Sequence, residues 1–157
     1  MTHSLAMSGV SRRAPLDVLK APANPLSVRL HRYLIEAASQ PHEWGVSDCC
    51  TFAADWVVEC GYSDPMARWR GKYDTQDGAM SLICDAGGLA MLWTLGMLDV
   101  SLPEPDAPRI GDVGVVEAMT IDGPQQVGAI FGGKRWAMLS PNGIFCASVP
   151  AVMIWRV

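Results

Sequence analysis

Trp44-Gly45-Val46-Ser47-Asp48-Cys49-Cys50-Thr51-Phe52-Ala53-Ala54-Asp55-Trp56 reads as a helix start with a nucleophile-type residue in its first turn. Asp48 is a good N-cap, because a short carboxylate accepts the orphan N–H groups of a first turn. Gly61 suits the position just past the helix end. Between them Cys49, Phe52, Ala53, Trp56 and Cys60 recur at helical spacing, so one face is expected to point into the core. A cysteine in the first turn sits at the positive end of the helix macrodipole. That position lowers a thiol pKa and favours the thiolate. Facing a sheet, it can be reached by a base carried on a strand. The plainer reading stays open: cysteine is often just a small buried apolar residue, and Asp48 is then only a cap.

Upstream, Asn24-Pro25 predicts another helix start, with Asn24 as N-cap and Pro25 in the first position. Leu26, Leu30, Tyr33 and Leu34 give it an apolar face, and Pro41 ends it near Ser39. Downstream, Thr75 or Asp77 caps a third helix ending near Gly87-Gly88, and Leu89–Leu95 forms a fourth, closed by Gly96. Ser101–Pro108 holds three prolines and no period, which predicts a linker loop. The texture then changes to short apolar or alternating runs at Val113–Ala118, Gln126–Phe131, Arg135–Leu139, Ile144–Ser148 and Val152–Trp155. Asp122-Gly123-Pro124, Gly132-Gly133 and Pro141-Asn142-Gly143 punctuate them, the pattern of an antiparallel meander. Helices followed by a curled antiparallel sheet define an α+β fold.

The 157 residues suit one domain, here residues 24–157 behind an N-terminal arm of residues 1–23. Met1–Pro15 has no apolar core segment, so it is expected to be an arm and not a secretory signal. The net charge is −4 and no basic run exceeds Arg12-Arg13, so nucleic acid is not an expected partner. The apolar stretches Gly88–Leu98 and Val113–Val116 fall short of the roughly 20 residues of a membrane span. The five cysteines are odd in number and form no C-x-x-C pair, which argues against a disulfide framework and for synthesis in a reducing cytoplasm. Cys49, Cys50 and Cys60 with His42 are the one conceivable zinc set, and their spacing does not favour it. No metal or other cofactor is expected.

Several features together resemble the NlpC-type branch of papain-like cell-wall peptidases. They are Trp44-Gly45, then Asp48-Cys49 opening a helix, Gly111-Asp112 at a strand start, Val127-Gly128-Ala129-Ile130, and the Gly132-Gly133 turn. The W-G-x-x-D-C-x-x-F-x-A-D string and the terminal Trp155-Arg156-Val157 look closer still to a small phage-tail and gene-transfer-agent group of that branch. The resemblance implies a papain-like fold in which N-terminal helices pack on a C-terminal antiparallel curled sheet. It also implies Cys49 as nucleophile, a histidine on a later strand as base, and a third polar residue orienting that histidine. At the histidine position this chain has Gln126, and near the orienting position it has Ala137 and Met138. Glutamine hydrogen-bonds but does not exchange a proton near neutral pH.

Of the three histidines, His3 lies in the arm, His31 is expected on the first helix, and His42 is the spare candidate base in the loop before Trp44. The implied function is a tail-tip structural or assembly component with a degenerate peptidase fold, located in the virion tail with other tail proteins as partners. The alternative is an active cysteine peptidase or amidase cleaving host peptidoglycan during DNA entry. A third reading is an acyl-handling or thiol-reactive protein on the same fold. Trp56 and Trp93 are expected in the core, while Trp44 and Trp69 lie in loop-like segments open to a ligand. Arg68-Trp69-Arg70 is the basic-aromatic cluster and is expected to be a solvated loop.

Overall fold

The computed structural model describes residues 25–157, and among them the chain forms four helices and then five strands. The arm at residues 1–23 and the Asn24 cap lie outside the described residues. Helix α1 spans Leu26–Ala38, one residue later than expected, because Pro25 has the extended ψ of a cap position. Leu30 is its buried anchor, and the Tyr33 hydroxyl donates to the Phe52 carbonyl at 2.5 Å. That bond fixes α1 against the central helix.

Helix α2 spans Cys49–Glu59 and is buried on nearly every side, through Cys50, Thr51, Phe52, Ala53, Ala54, Trp56 and Val57. The expectation of a single inward face was too narrow. A helix apolar all round belongs in the middle of a structure, and α2 is packed by α1, by the loop after it and by the sheet. Trp56 Nε1 donates to the Gly111 carbonyl at 2.8 Å, tying its buried tip to the start of the sheet.

Of Arg68-Trp69-Arg70, expected as a solvated loop, Arg68 is exposed, whereas Trp69 and Arg70 are half-buried. Arg70 bridges Asp55 on α2 and Asp64, each at 2.5 Å, and Arg68 pairs with Asp99 at 3.3 Å. Trp69 packs beside Gly96. Helix α3 spans Gln76–Ala86 behind the Thr75 cap, with Asp77 in its first turn, and α4 spans Leu89–Met97 at 72° to it. Gly96 was expected to close α4 but lies inside it. A Cβ there would stand 2.0 Å from the Pro65 carbonyl oxygen, so this glycine serves packing and not termination.

Strands β1 (Val113–Thr120), β2 (Gly123–Phe131), β3 (Trp136–Ser140), β4 (Gly143–Ala147) and β5 (Ala151–Trp155) form one antiparallel sheet in the order β4-β3-β2-β1-β5. The main core lies between the helices and one sheet face, with Trp56, Trp93, Val113, Val115 and Ile130 at its centre. Val116, Ala118, Ala129, Trp136 and Met138 form a smaller cluster of their own. Strands β2 and β3 pair only at Ile130↔Ala137 and Phe131↔Trp136. Beyond those positions they diverge, and the fork between them opens one end of the sheet. Among the described residues no single helix is long and apolar enough to cross a membrane.

Candidate active-site cleft

The fork in the sheet faces the N-terminus of α2, and a cavity of about 230 Å³ lies between them. His42, Trp44, Asp48, Cys49, Cys50 and Gln126 all line it. The structure therefore brings His42, Asp48, Cys49 and Gln126 to one cleft, together with Trp69.

Local sequence explains how Asp48 and Cys49 are held. Glu43 and Ser47 pair across a tight turn, with N–H to carbonyl distances of 3.0 and 2.7 Å. Gly45 turns that corner at φ +83, where a Cβ would stand 2.2 Å from the Tyr73 carbonyl oxygen. Only glycine fits, which gives the Trp-Gly pair its physical meaning. The Asp48 carboxylate, 1% exposed, then accepts from Cys50 N and Thr51 N at 3.0 Å, Gly45 N at 2.8 Å and the Tyr73 hydroxyl at 2.5 Å. The Thr51 hydroxyl in turn accepts from Asp48 N at 2.8 Å, closing a reciprocal capping box. Burial, and then its hydrogen bond to this carboxylate, push the Tyr73 phenol far up.

Cys49 is half-buried and faces the cleft, whereas Cys50 is buried. Their Sγ atoms are 4.0 Å apart. The hydrogen bond between the two thiols holds the Cys49 thiol below its ordinary value, and the backbone N–H groups of Gly128 and Cys49 itself assist. Burial and the negative Asp48 act against this lowering. Cys50 is pushed well up, first by the bond that it makes to Cys49 and then by burial. The pair thus divides into a half-buried thiol held below its ordinary value and a buried thiol pushed above it. Gly128 lets β2 touch the helix start, since a Cβ there would stand 2.8 Å from the Cys49 carbonyl oxygen.

Gln126 is exposed on β2, opposite Glu117 of β1. Its Oε1 accepts a long bond of 3.4 Å from Ala90 N at the start of α4, a helix whose N-cap Gly88 brings no side-chain cap. On β3, Ala137 and Met138 are buried and apolar. Ser140, also at the cleft, bonds within its own hairpin, to Gly143 O and Asn142 N. His42 is half-buried, its ring edge-on to Trp44 with centroids 4.8 Å apart. His31 is exposed on α1.

The zinc set of Cys49, Cys50, Cys60 and His42 is not assembled. Cys60 caps the far end of α2, roughly 16 Å from Cys49 at 1.5 Å per residue. Asp48, Cys49 and Cys50 do place ligand atoms within 4.8 Å of one another, but both Asp48 oxygens already hold two donors each. Sequence reasoning missed Tyr73, which no local pattern connects to Asp48. It also missed the apolar depth of the cleft, built by α3 and α4. The capping box was partly legible as Asp48-x-x-Thr51.

No curated protein and no solved structure matches this chain. The model of the family described as Domain of unknown function (DUF6950) matches residues 24–157, and the chain belongs to that family.

Proposed function

We propose that this domain is a structural or assembly component of a phage-like tail that keeps a papain-like, NlpC-type architecture without a complete catalytic set. Gln126 carries the reading. It stands on β2 at the rim of the Cys49 cleft, its acceptor oxygen directed to Ala90 N, and β3 presents only apolar side chains where an orienting group would stand. Amide cleavage needs a group that gives the leaving amine a proton, which glutamine does not do. The tail placement rests on the resemblance of Trp44–Trp56 and Trp155-Arg156-Val157 to that group. Met119 and Ile121, the most exposed large apolar side chains among the described residues, stand at the β1–β2 hairpin and suit docking to another tail protein.

Two experiments test it. Purified protein is expected to release no fragments from peptidoglycan, and hydrolysis that depends on Cys49 would overturn the reading. The protein is also expected to sediment with intact tails, and Met119→Ser with Ile121→Ser to release it. Absence from tail particles would remove the placement.

His42 favours a second reading, an active cysteine peptidase or amidase acting on peptidoglycan, because it lines the same cleft as Cys49. In that case His42→Gln abolishes a Cys49-dependent hydrolysis. Unchanged hydrolysis in His42→Gln, or none in the unaltered protein, removes it.

A further inference from the structure

The cleft behind Cys49 is apolar and deep, whereas a peptidoglycan stem peptide is polar and charged. Its far wall comes from Ala79, Met80 and Ile83 of α3, Leu89 and Leu92 of α4, and Phe145 of β4. Ala79, Leu89 and Leu92 are buried. Its volume of about 230 Å³ exceeds that of an engineered cavity of about 150 Å³ that takes benzene. Room therefore exists for a ring or a medium-length aliphatic chain, with Cys49, Gln126 and His42 on the same lining.

The chemistry left at the mouth is selective. Amide hydrolysis needs a proton donor for the leaving amine and a base to activate water. Exchange between a thiolate and a thioester needs neither, because the leaving group departs as a thiolate. Cys49 has what that step requires: a half-buried sulfur on the cavity lining, 4.0 Å from the Cys50 sulfur, with its thiol held below the ordinary value. Cys49 also opens α2, at the positive end of the helix macrodipole, which favours the developing oxyanion.

We propose that Cys49 accepts a medium-chain acyl group from an acyl thioester, seats the chain in the apolar cleft and holds it as a stable S-acyl adduct. The Cys49 thiol gives its proton to solvent, and the thiolate attacks the thioester carbonyl. A bond from carbon to the Cys49 sulfur forms and the donor's carbon–sulfur bond breaks. The donor thiolate leaves with the electron pair and takes a proton from water. Nothing is oxidised or reduced. The adduct persists because Gln126 does not activate water, so this inference rests on the incomplete catalytic set proposed above.

The test incubates the full chain with the octanoyl or the acetyl thioester of N-acetylcysteamine and reads adducts by intact mass and peptide mapping. Octanoylation at Cys49 is expected about tenfold or more faster than acetylation, because each buried methylene favours the bound chain. It is absent in Cys49→Ala. Ala79→Phe is expected to slow octanoylation while iodoacetamide still labels Cys49. If that variant does not fold, the chain-length dependence of the unaltered protein decides. Equal rates for the two donors, or equal labelling at the exposed Cys84 and Cys146, would overturn the proposal. If Cys49 takes iodoacetamide but no acyl group, this inference alone fails. Rapid loss of the adduct by hydrolysis overturns it together with the reading of an incomplete catalytic set.

Discussion

Cys49 and Cys50 are chemical equals in the sequence and opposites in the structure. The first is half-buried with its thiol held below the ordinary value, the second is buried with its thiol pushed above it, and the two sulfurs are 4.0 Å apart. A depressed thiol pKa means that thiolate persists to lower pH. Iodoacetamide labelling of Cys49 is therefore expected with a midpoint below the free-thiol value of about 8.5, with Cys60, whose thiol burial pushes up, as the slow internal reference. Cys50→Ala removes the S–H donor, so the Cys49 midpoint should rise towards the ordinary value. An unchanged midpoint in that variant would show that the pair does not interact. Asp48 holds four donors in a buried pocket, and Asp48→Ala leaves them unpaired. A loss of about 3–5 kcal/mol in urea unfolding is expected, from several orphaned donors at about 1–3 kcal/mol each, partly relieved by water.

At the scale of elements, the cleft exists because α2 meets β2 closely while β3 leaves β2 early. Gly128 is the contact point between helix start and strand. Gly128→Ala should cost about 1–3 kcal/mol by overpacking and should also displace the first turn of α2. Labelling of Cys49 in that variant is expected to lose its low-pH midpoint. A variant that is destabilised but keeps the midpoint would show that the strand does not position the thiol. The α2 start was legible in the sequence because capping is local: Asp48, Thr51 and Gly61 act within a few residues. The β2–β3 fork was not, because strand divergence follows from sheet curl and distant packing. Gly96 misled for the same reason, since its partner Pro65 is remote in sequence.

At the scale of the whole molecule, the C-terminal strand is tied back to the linker and the sheet. Arg156 donates to the buried Asp112 through Nε and Nη2 at 3.3 and 3.1 Å, and to the Ala107 carbonyl. Asp112 is 0% exposed, so removing its cation leaves a buried charge unpaired. Arg156→Ala is expected to lower unfolding stability by about 3–5 kcal/mol. Loss should exceed that of Arg68→Ala, whose partner Asp99 is exposed and whose pair contributes about 0–1 kcal/mol. Equal losses in the two variants would show that Asp112 finds other compensation. Arg70 joins α2 to the following loop in the same way, so the cluster that looked solvated in the sequence braces the helical half.

The sequence by itself determined the order of helices and strands, the capped start of α2 and the placing of a cysteine in its first turn. It also determined that the residue before Val127-Gly128 is a glutamine. These follow from capping, periodicity and side-chain chemistry, which act over a few residues. Only the tertiary structure decided that His42, Cys49 and Gln126 share one cleft, that Tyr73 holds Asp48, and that the cleft is lined by α3 and α4. Those facts depend on which distant segments exclude water together, and no local pattern encodes that choice.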